Sequence, residues 1–279
     1  MSIKTILTAT ALAILLLSCG KRHTTTDILE NGNSLTANTV GDKTIYGLAC
    51  DGCTDSVLVL LPDKGGDPVK YDIIDAFHDG KVLGKPKIGD WVGVIRSQED
   101  SMTATMVVDI DELKGIWCYI VMPQMRDFSH MSQKLQRRLM NQMSDSIKET
   151  HLIPREYGFW LKSNWIAQSV GYVPAQSALE EESPVVYPPL GYFTTWQMWN
   201  GMLIVTSATP TLTKDGKITI TNPVNDTCNI DYLKNDSLVL SDRFGSRGYY
   251  RKKNVNDVNK KAIKIANALK SQALKQTTE

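Results

Sequence analysis

Short apolar runs separated by turn residues dominate the chain from residue 43 to residue 122. Thr44–Leu48 reads as a first strand. Ser56–Pro62 reads as a second, closed by its proline and followed by the turn Asp63-Lys64-Gly65-Gly66-Asp67. Val69–Ala76, Trp91–Ile95, Thr103–Asp109 and Gly115–Met122 complete the set. Runs packed this closely leave no room for crossover helices, so the pairing is expected to be antiparallel and the product a small barrel or sandwich.

The period then changes. Met131, Leu135, Leu139, Met143 and Ile147 recur every fourth residue, which predicts an amphipathic helix over 129–150. Residues 153–189 hold Pro174, the run Glu180-Glu181-Glu182, and Pro184, Pro188 and Pro189, and are expected to form a linker or long loop. Within them, Tyr157–Leu161 has the composition of a strand. β-like patterning returns with Tyr192–Met198, Met202–Thr206, Lys217–Thr221, Thr227–Leu233, Ser237–Leu240 and Gly248–Arg251. Lys214-Asp215-Gly216-Lys217 has the Asp-Gly pair of a tight hairpin. A last helical stripe, Val258, Ala262, Ile265, Ala266, Leu269 and Ala273, follows a cap at Asn254 or Asn256. The expected fold is mainly β. It has two small antiparallel β-barrel or sandwich domains, lipocalin-like or OB-like, with two accessory amphipathic helices. The domains are expected at 43–152 and 190–279.

The N-terminus changes the picture most. Lys4 precedes an apolar run from Ile6 to Leu17, shorter than the ~20 residues that span a bilayer. Such a run in such a place is a secretory signal over residues 1–18. It ends in Leu16-Leu17-Ser18-Cys19, which resembles a lipobox, so Cys19 is expected to carry the lipid and residues 19–42 to form a polar tether. Gly20 rather than Asp follows that cysteine, which points to the outer membrane of a two-membrane cell. The face, periplasmic or external, stays open.

Charge is balanced, 31 basic residues against 30 acidic, which removes the electrostatic case for nucleic acid. Four cysteines remain after Cys19. Cys50-Asp51-Gly52-Cys53 places two thiols three apart in a turn, suited to a small disulfide or to one soft metal ion such as copper. Cys118 and Cys228 stand alone, and the pairing of the four is not fixed by the sequence. Met122, Met125, Met140 and Met143 are read as core packing rather than as thioether ligands. His23, His78, His130 and His151 lack ligand spacing. No nucleophile elbow, phosphate loop, zinc-protease helix or dinucleotide loop occurs, so neither an enzyme nor a cofactor is expected. Asp109 and Asp111 read as a strand-end turn rather than a catalytic carboxylate pair. Trp91, Trp117, Trp196 and Trp199 lie in strands and are candidates to line a cavity for an apolar ligand, with ordinary barrel core as the competing reading.

Tyr46–Leu60, with Cys-x-x-Cys between a Gly-led strand and an apolar one, resembles the first strands of NlpE-type lipoproteins. Asp231–Leu240 followed by Gly248-Tyr249-Tyr250-Arg251-Lys252 resembles the closing strands of lipocalin-like lipoproteins. The resemblance covers about 40 residues and implies a two-domain β lipoprotein of the outer membrane, a sensor or metal handler. Together these features lead to an expected non-enzymatic ligand-binding or sensing module. The alternatives are a structural accessory subunit for another envelope protein and soft-metal handling through Cys50 and Cys53.

Overall fold

A computed structural model describes residues 41–127, 132–134, 138, 151–173, 185–212 and 218–276. The expected signal peptide, Cys19, the expected tether up to residue 40, most of the helix expected over 129–150 and the turn expected at Lys214–Lys217 lie outside the described residues.

The first sheet is built from β1 (Ile45–Ala49), β2 (Val57–Pro62), β3 (Val69–Asp72), β4 (Val82–Leu83), β5 (Trp91–Arg96) and β6 (Ala104–Asp109). Their order is β3-β2-β1-β5-β6-β4. The sheet rolls up on itself. A parallel bridge joins Asp72 to Thr103, and the Asp72 amide donates to the Met102 carbonyl at 2.9 Å. This is the partly open barrel expected as OB-like. Leu58, Leu60, Tyr71, Val92, Val94 and Val107 fill it. The strand expected over 69–76 stops at Asp72, whose carboxylate accepts the Ile74 amide at 2.9 Å. That local bond turns the chain into a short helix, α1 (Ile74–His78).

The second sheet has eight antiparallel strands, in the order β10-β9-β7-β16-β15-β14-β13-β12. They are β7 (Gly115–Val121), β9 (Arg155–Leu161), β10 (Ala167–Val170), β12 (Tyr192–Trp199), β13 (Met202–Leu212), β14 (Ile218–Lys234), β15 (Ser237–Asp242) and β16 (Gly245–Lys252). Its edges nearly close. Ile166 bridges Thr195, and the Trp196 amide donates to the Trp165 carbonyl at 2.9 Å. Bulges at Phe193/Thr195, Ser207/Thr209 and Ile230/Tyr232 bend the long strands around the barrel. A separate two-stranded ladder pairs β8 (Gln124–Met125) with β11 (Val185–Val186).

The chain is therefore mainly β, with two sheets and few helices, and the division of the chain differs from the expected one. β7 leaves the first half to pair with β9 on one side and β16 on the other. Residues 155–170 supply two barrel strands instead of a linker. Gly158 permits the β7–β9 approach, since a Cβ there would lie 1.9 Å from the Trp117 carbonyl oxygen. The C-terminal helix, α3 (Lys260–Gln276), lies on the outer wall. There Ala262 packs with Ile116, Cys118, Val170 and Tyr250. Its cap is Asn259, not Asn254 or Asn256: the Asn259 side-chain oxygen accepts the Lys261 amide at 2.8 Å.

Candidate functional site

The two barrels meet at a four-residue helix, α2 (Ile110–Leu113). The segment Asp109-Ile110-Asp111-Glu112 carries the Asp-x-x-Glu pattern of a helix start, and Asp109 caps it by accepting the Glu112 amide at 2.9 Å. Ile110 and Leu113 point the other way and are completely buried. The helix thus has an apolar side that seals the core and a carboxylate side that faces outward.

Each carboxylate on that side holds a different piece of chain. Glu112 accepts the Lys85 amide at 2.7 Å with one oxygen and the Asn235 amide at 2.6 Å with the other. It ties the loop before β5 to the β14–β15 turn. Asp111 accepts the Trp91 amide at 2.7 Å and pairs with the Lys114 ammonium at 2.5 Å. Arg251 spreads over Trp117, 4.1 Å from the ring centre. Its guanidinium donates to the carbonyls of Asn235, Lys114 and Glu112. Gly84 crosses directly against Asp109: with φ at +90°, its missing Cβ would sit 2.6 Å from the Asp109 Cβ.

Between these segments lies an open cleft of about 710 Å³, lined by Lys85, Lys87, Asp90, Asp109, Asp111, Glu112, Asn235, Asp236 and Arg251. Burial pushes the Asp109 carboxyl up to about 7, and the nearby charges of Asp90, Glu112 and Asp111 add to this against the Glu112 amide bond. Asp111 moves the other way. Burial raises it, but the Lys114 ammonium and the Trp91 amide outweigh that and hold it below its usual value. The cleft therefore presents protonatable and fixed charges of both signs. Such a lining suits a polar, charged group better than an apolar one.

The residues singled out from the sequence fall elsewhere. Trp117 and Trp196 are buried fillers of the second barrel, and their indole N–H groups donate to the Leu113 and Lys162 carbonyls at 2.7 and 2.9 Å. Above them Tyr119, Tyr157, Phe193, Phe159 and Tyr249 form a closed ring of contacts, with neighbouring centroids 5.2–5.7 Å apart. Phe159 of this ring belongs to the same core cluster as Trp117 and Trp196, and Phe193 and Tyr249 pack against it. Trp91 is half-buried and stacks on Tyr46 at 6.5 Å, and Trp199 is half-buried at the end of β12. Cys50 and Cys53 sit in the β1–β2 loop as free thiols. Cys53 Sγ donates to the Cys50 carbonyl at 3.2 Å and accepts the Val59 amide at 3.4 Å. Cys118 and Cys228 are also unpaired. Among the described residues, no group of three or more His, Cys, Asp or Glu is placed to hold a metal ion.

Asp109, Glu112, Asn235 and Arg251 were not site candidates in the sequence. The capping pattern at 109–112 and the aromatic-Arg ending of β16 were the available signals, but nothing in the sequence shows that they converge.

No protein-family model matches the chain, and no curated protein matches it. Among solved structures, the chain is similar to a lipocalin-like protein from Bacteroides thetaiotaomicron VPI-5482. The identity is 16%, over 50% of this chain and 95% of that one. The TM-score is 0.26, too low to transfer anything from that protein to this chain.

Proposed function

We propose that this protein is a non-enzymatic ligand-binding or sensing lipoprotein of the cell envelope, held in the outer membrane by lipid on Cys19, and that its ligand is a small polar molecule bound between the barrels. The observation that carries this reading is the cleft of about 710 Å³, rimmed by Lys85, Lys87 and Asp236, with Asp109 fully buried at its base. Its size is that of small-molecule sites, and a carboxyl with a shifted pKa in a cleft marks a candidate site. The polar lining of the cleft favours a charged ligand over the apolar one that the tryptophans led us to expect.

The test is a thermal-shift screen of the full chain against amino acids, amino sugars, dicarboxylates and sugar phosphates. A ligand of the cleft raises the melting temperature of the wild type and not of the Lys87→Ala/Asp236→Ala double variant. The proposal is abandoned if no charged class produces a shift that the double variant loses. Labelling with a fatty-acid probe tests the anchor separately, since Cys19→Ala must abolish incorporation. The filled second barrel favours one alternative, an accessory subunit that docks on another envelope protein. Co-purification of a stoichiometric partner that survives the double variant would support it.

A further inference from the structure

Helix α3 has a second surface turned away from the barrel wall on which Ala262 packs. Between Asp257 and Gln276 it carries Lys260, Lys261, Lys264, Lys270 and Lys275 and no acidic residue, in a chain whose net charge is +1. At ~100° per residue, Lys260, Lys261, Lys264 and Lys275 fall within an arc of about 100°. That arc lies opposite Ala262, the residue buried on the barrel wall. All four lysines are exposed. Lys261 Nζ reaches the Ser237 hydroxyl of β15, at 3.4 Å.

The strip is not simply a solvated face. Ile263 and Ile265 flank it, 46% and 36% exposed, and Val258 just before the helix is 73% exposed. Exposed branched aliphatics beside cations of a single sign match one environment. In the headgroup layer of an anionic bilayer, acyl chains begin just below a sheet of negative charge, and lysine stems can lie along apolar surface with their ammonium groups at the phosphates.

We propose that α3 lays this lysine strip on an anionic bilayer surface, giving the protein a second membrane contact besides the lipid on Cys19. This rests on the envelope reading above, because the anchor is what delivers the helix to a membrane.

The experiment places the full chain on vesicles of phosphatidylcholine alone, or with about a third phosphatidylglycerol, and reads lysine acylation by mass spectrometry at low and ~0.5 M salt. Expected on the anionic vesicles is a fall of roughly threefold or more in labelling of Lys260, Lys261, Lys264 and Lys275, reversed by salt, with Lys64 and Lys70 on the first barrel unchanged. A variant with the four lysines changed to Gln must lose the lipid-dependent protection of Ile263 and Ile265 in hydrogen exchange. Equal labelling of the helix on both vesicles overturns the proposal, and so does a uniform fall that includes Lys64 and Lys70. Failure of the anchor reads differently: the chain then does not float with vesicles of phosphatidylcholine, while the helix comparison on anionic vesicles still stands.

Discussion

Replacing Asp109 with Asn isolates the one buried carboxyl at the base of the cleft. Asn caps helices about as well as Asp, so the bond to the Glu112 amide is kept while the titration is removed. Carrying the pKa from its usual 3.8 to about 7 corresponds, at ~1.4 kcal/mol per pH unit, to about 4 kcal/mol as an upper bound. The sign follows from proton counts. Between pH 4 and pH 7 the unfolded chain has released this proton while the folded chain still holds it. Stability from this group therefore falls as pH rises through that window and levels off above it. Urea unfolding followed by tryptophan fluorescence, at steps from acid to slightly alkaline pH, measures the effect. The Asp109→Asn variant carries no such slope, so it should match the wild type at the acid end and exceed it by up to about 4 kcal/mol at the alkaline end. Two parallel profiles would refute the reasoning, because they would mean that Asp109 ionises in the fold as easily as in water.

Further predictions follow from the packing. Alkylation without reductant should modify Cys50 and Cys53, which are free and partly exposed, and should miss Cys118 until the protein unfolds, because burial hides that thiol and pushes it up to about 12. A thiol count of zero at Cys50 and Cys53 before reduction would instead establish a disulfide. If both react, Cu(I) titration of the same sample tests soft-metal handling. Lys252→Met strands the Glu156 carboxylate, which also accepts the Tyr250 hydroxyl at 2.5 Å, and should cost about 2–3 kcal/mol in denaturant midpoint analysis. Lys252→Met with Glu156→Leu should recover most of that loss, and a double variant no better than the single would contradict the pairing. Trp117→Ala empties the centre of the second barrel and removes the platform under Arg251. The expected loss is ~3–5 kcal/mol, and a loss under ~1 kcal/mol would mean the barrel is not filled there.

Much of the local structure was legible. Strands such as Ser56–Pro62, Trp91–Ile95 and Gly115–Met122 match observed ones within a residue or two, because alternation and turn residues are properties of a short window. Val69–Ala76 failed at Asp72, where one side-chain bond to the Ile74 amide outcompeted the continuing strand. The partition failed for a deeper reason. Cys118 of β7 sits opposite Gly158 on one side and Tyr250 on the other, and register between such distant segments leaves no trace in any one of them. The strand pattern of Tyr157–Leu161 was visible in its composition, but the prolines and glutamates that follow it drew the whole stretch into a linker, and it belongs to the sheet. The cleft was illegible for the same reason as the partition, since its residues come from four separate stretches.

The place where polarity collects follows from how the chain passes between barrels. It leaves the first barrel at Asp109 and enters the second at Gly115, with α2 alone in between. So short a connection leaves no free linker, and α2 must serve both bodies at once. Its apolar residues, Ile110 and Leu113, are consumed in closing the core shared with Leu83, Trp117 and Leu238. Asp111 and Glu112 are left to the rim, where they tie down backbone amides of both barrels, while Asp109 stays buried below them as the cap of α2. Asp111 and Glu112 thus both line the cleft and bond to the chain segments around it. On the ligand-binding reading proposed above, a ligand in the cleft would touch the same groups that join the two sheets.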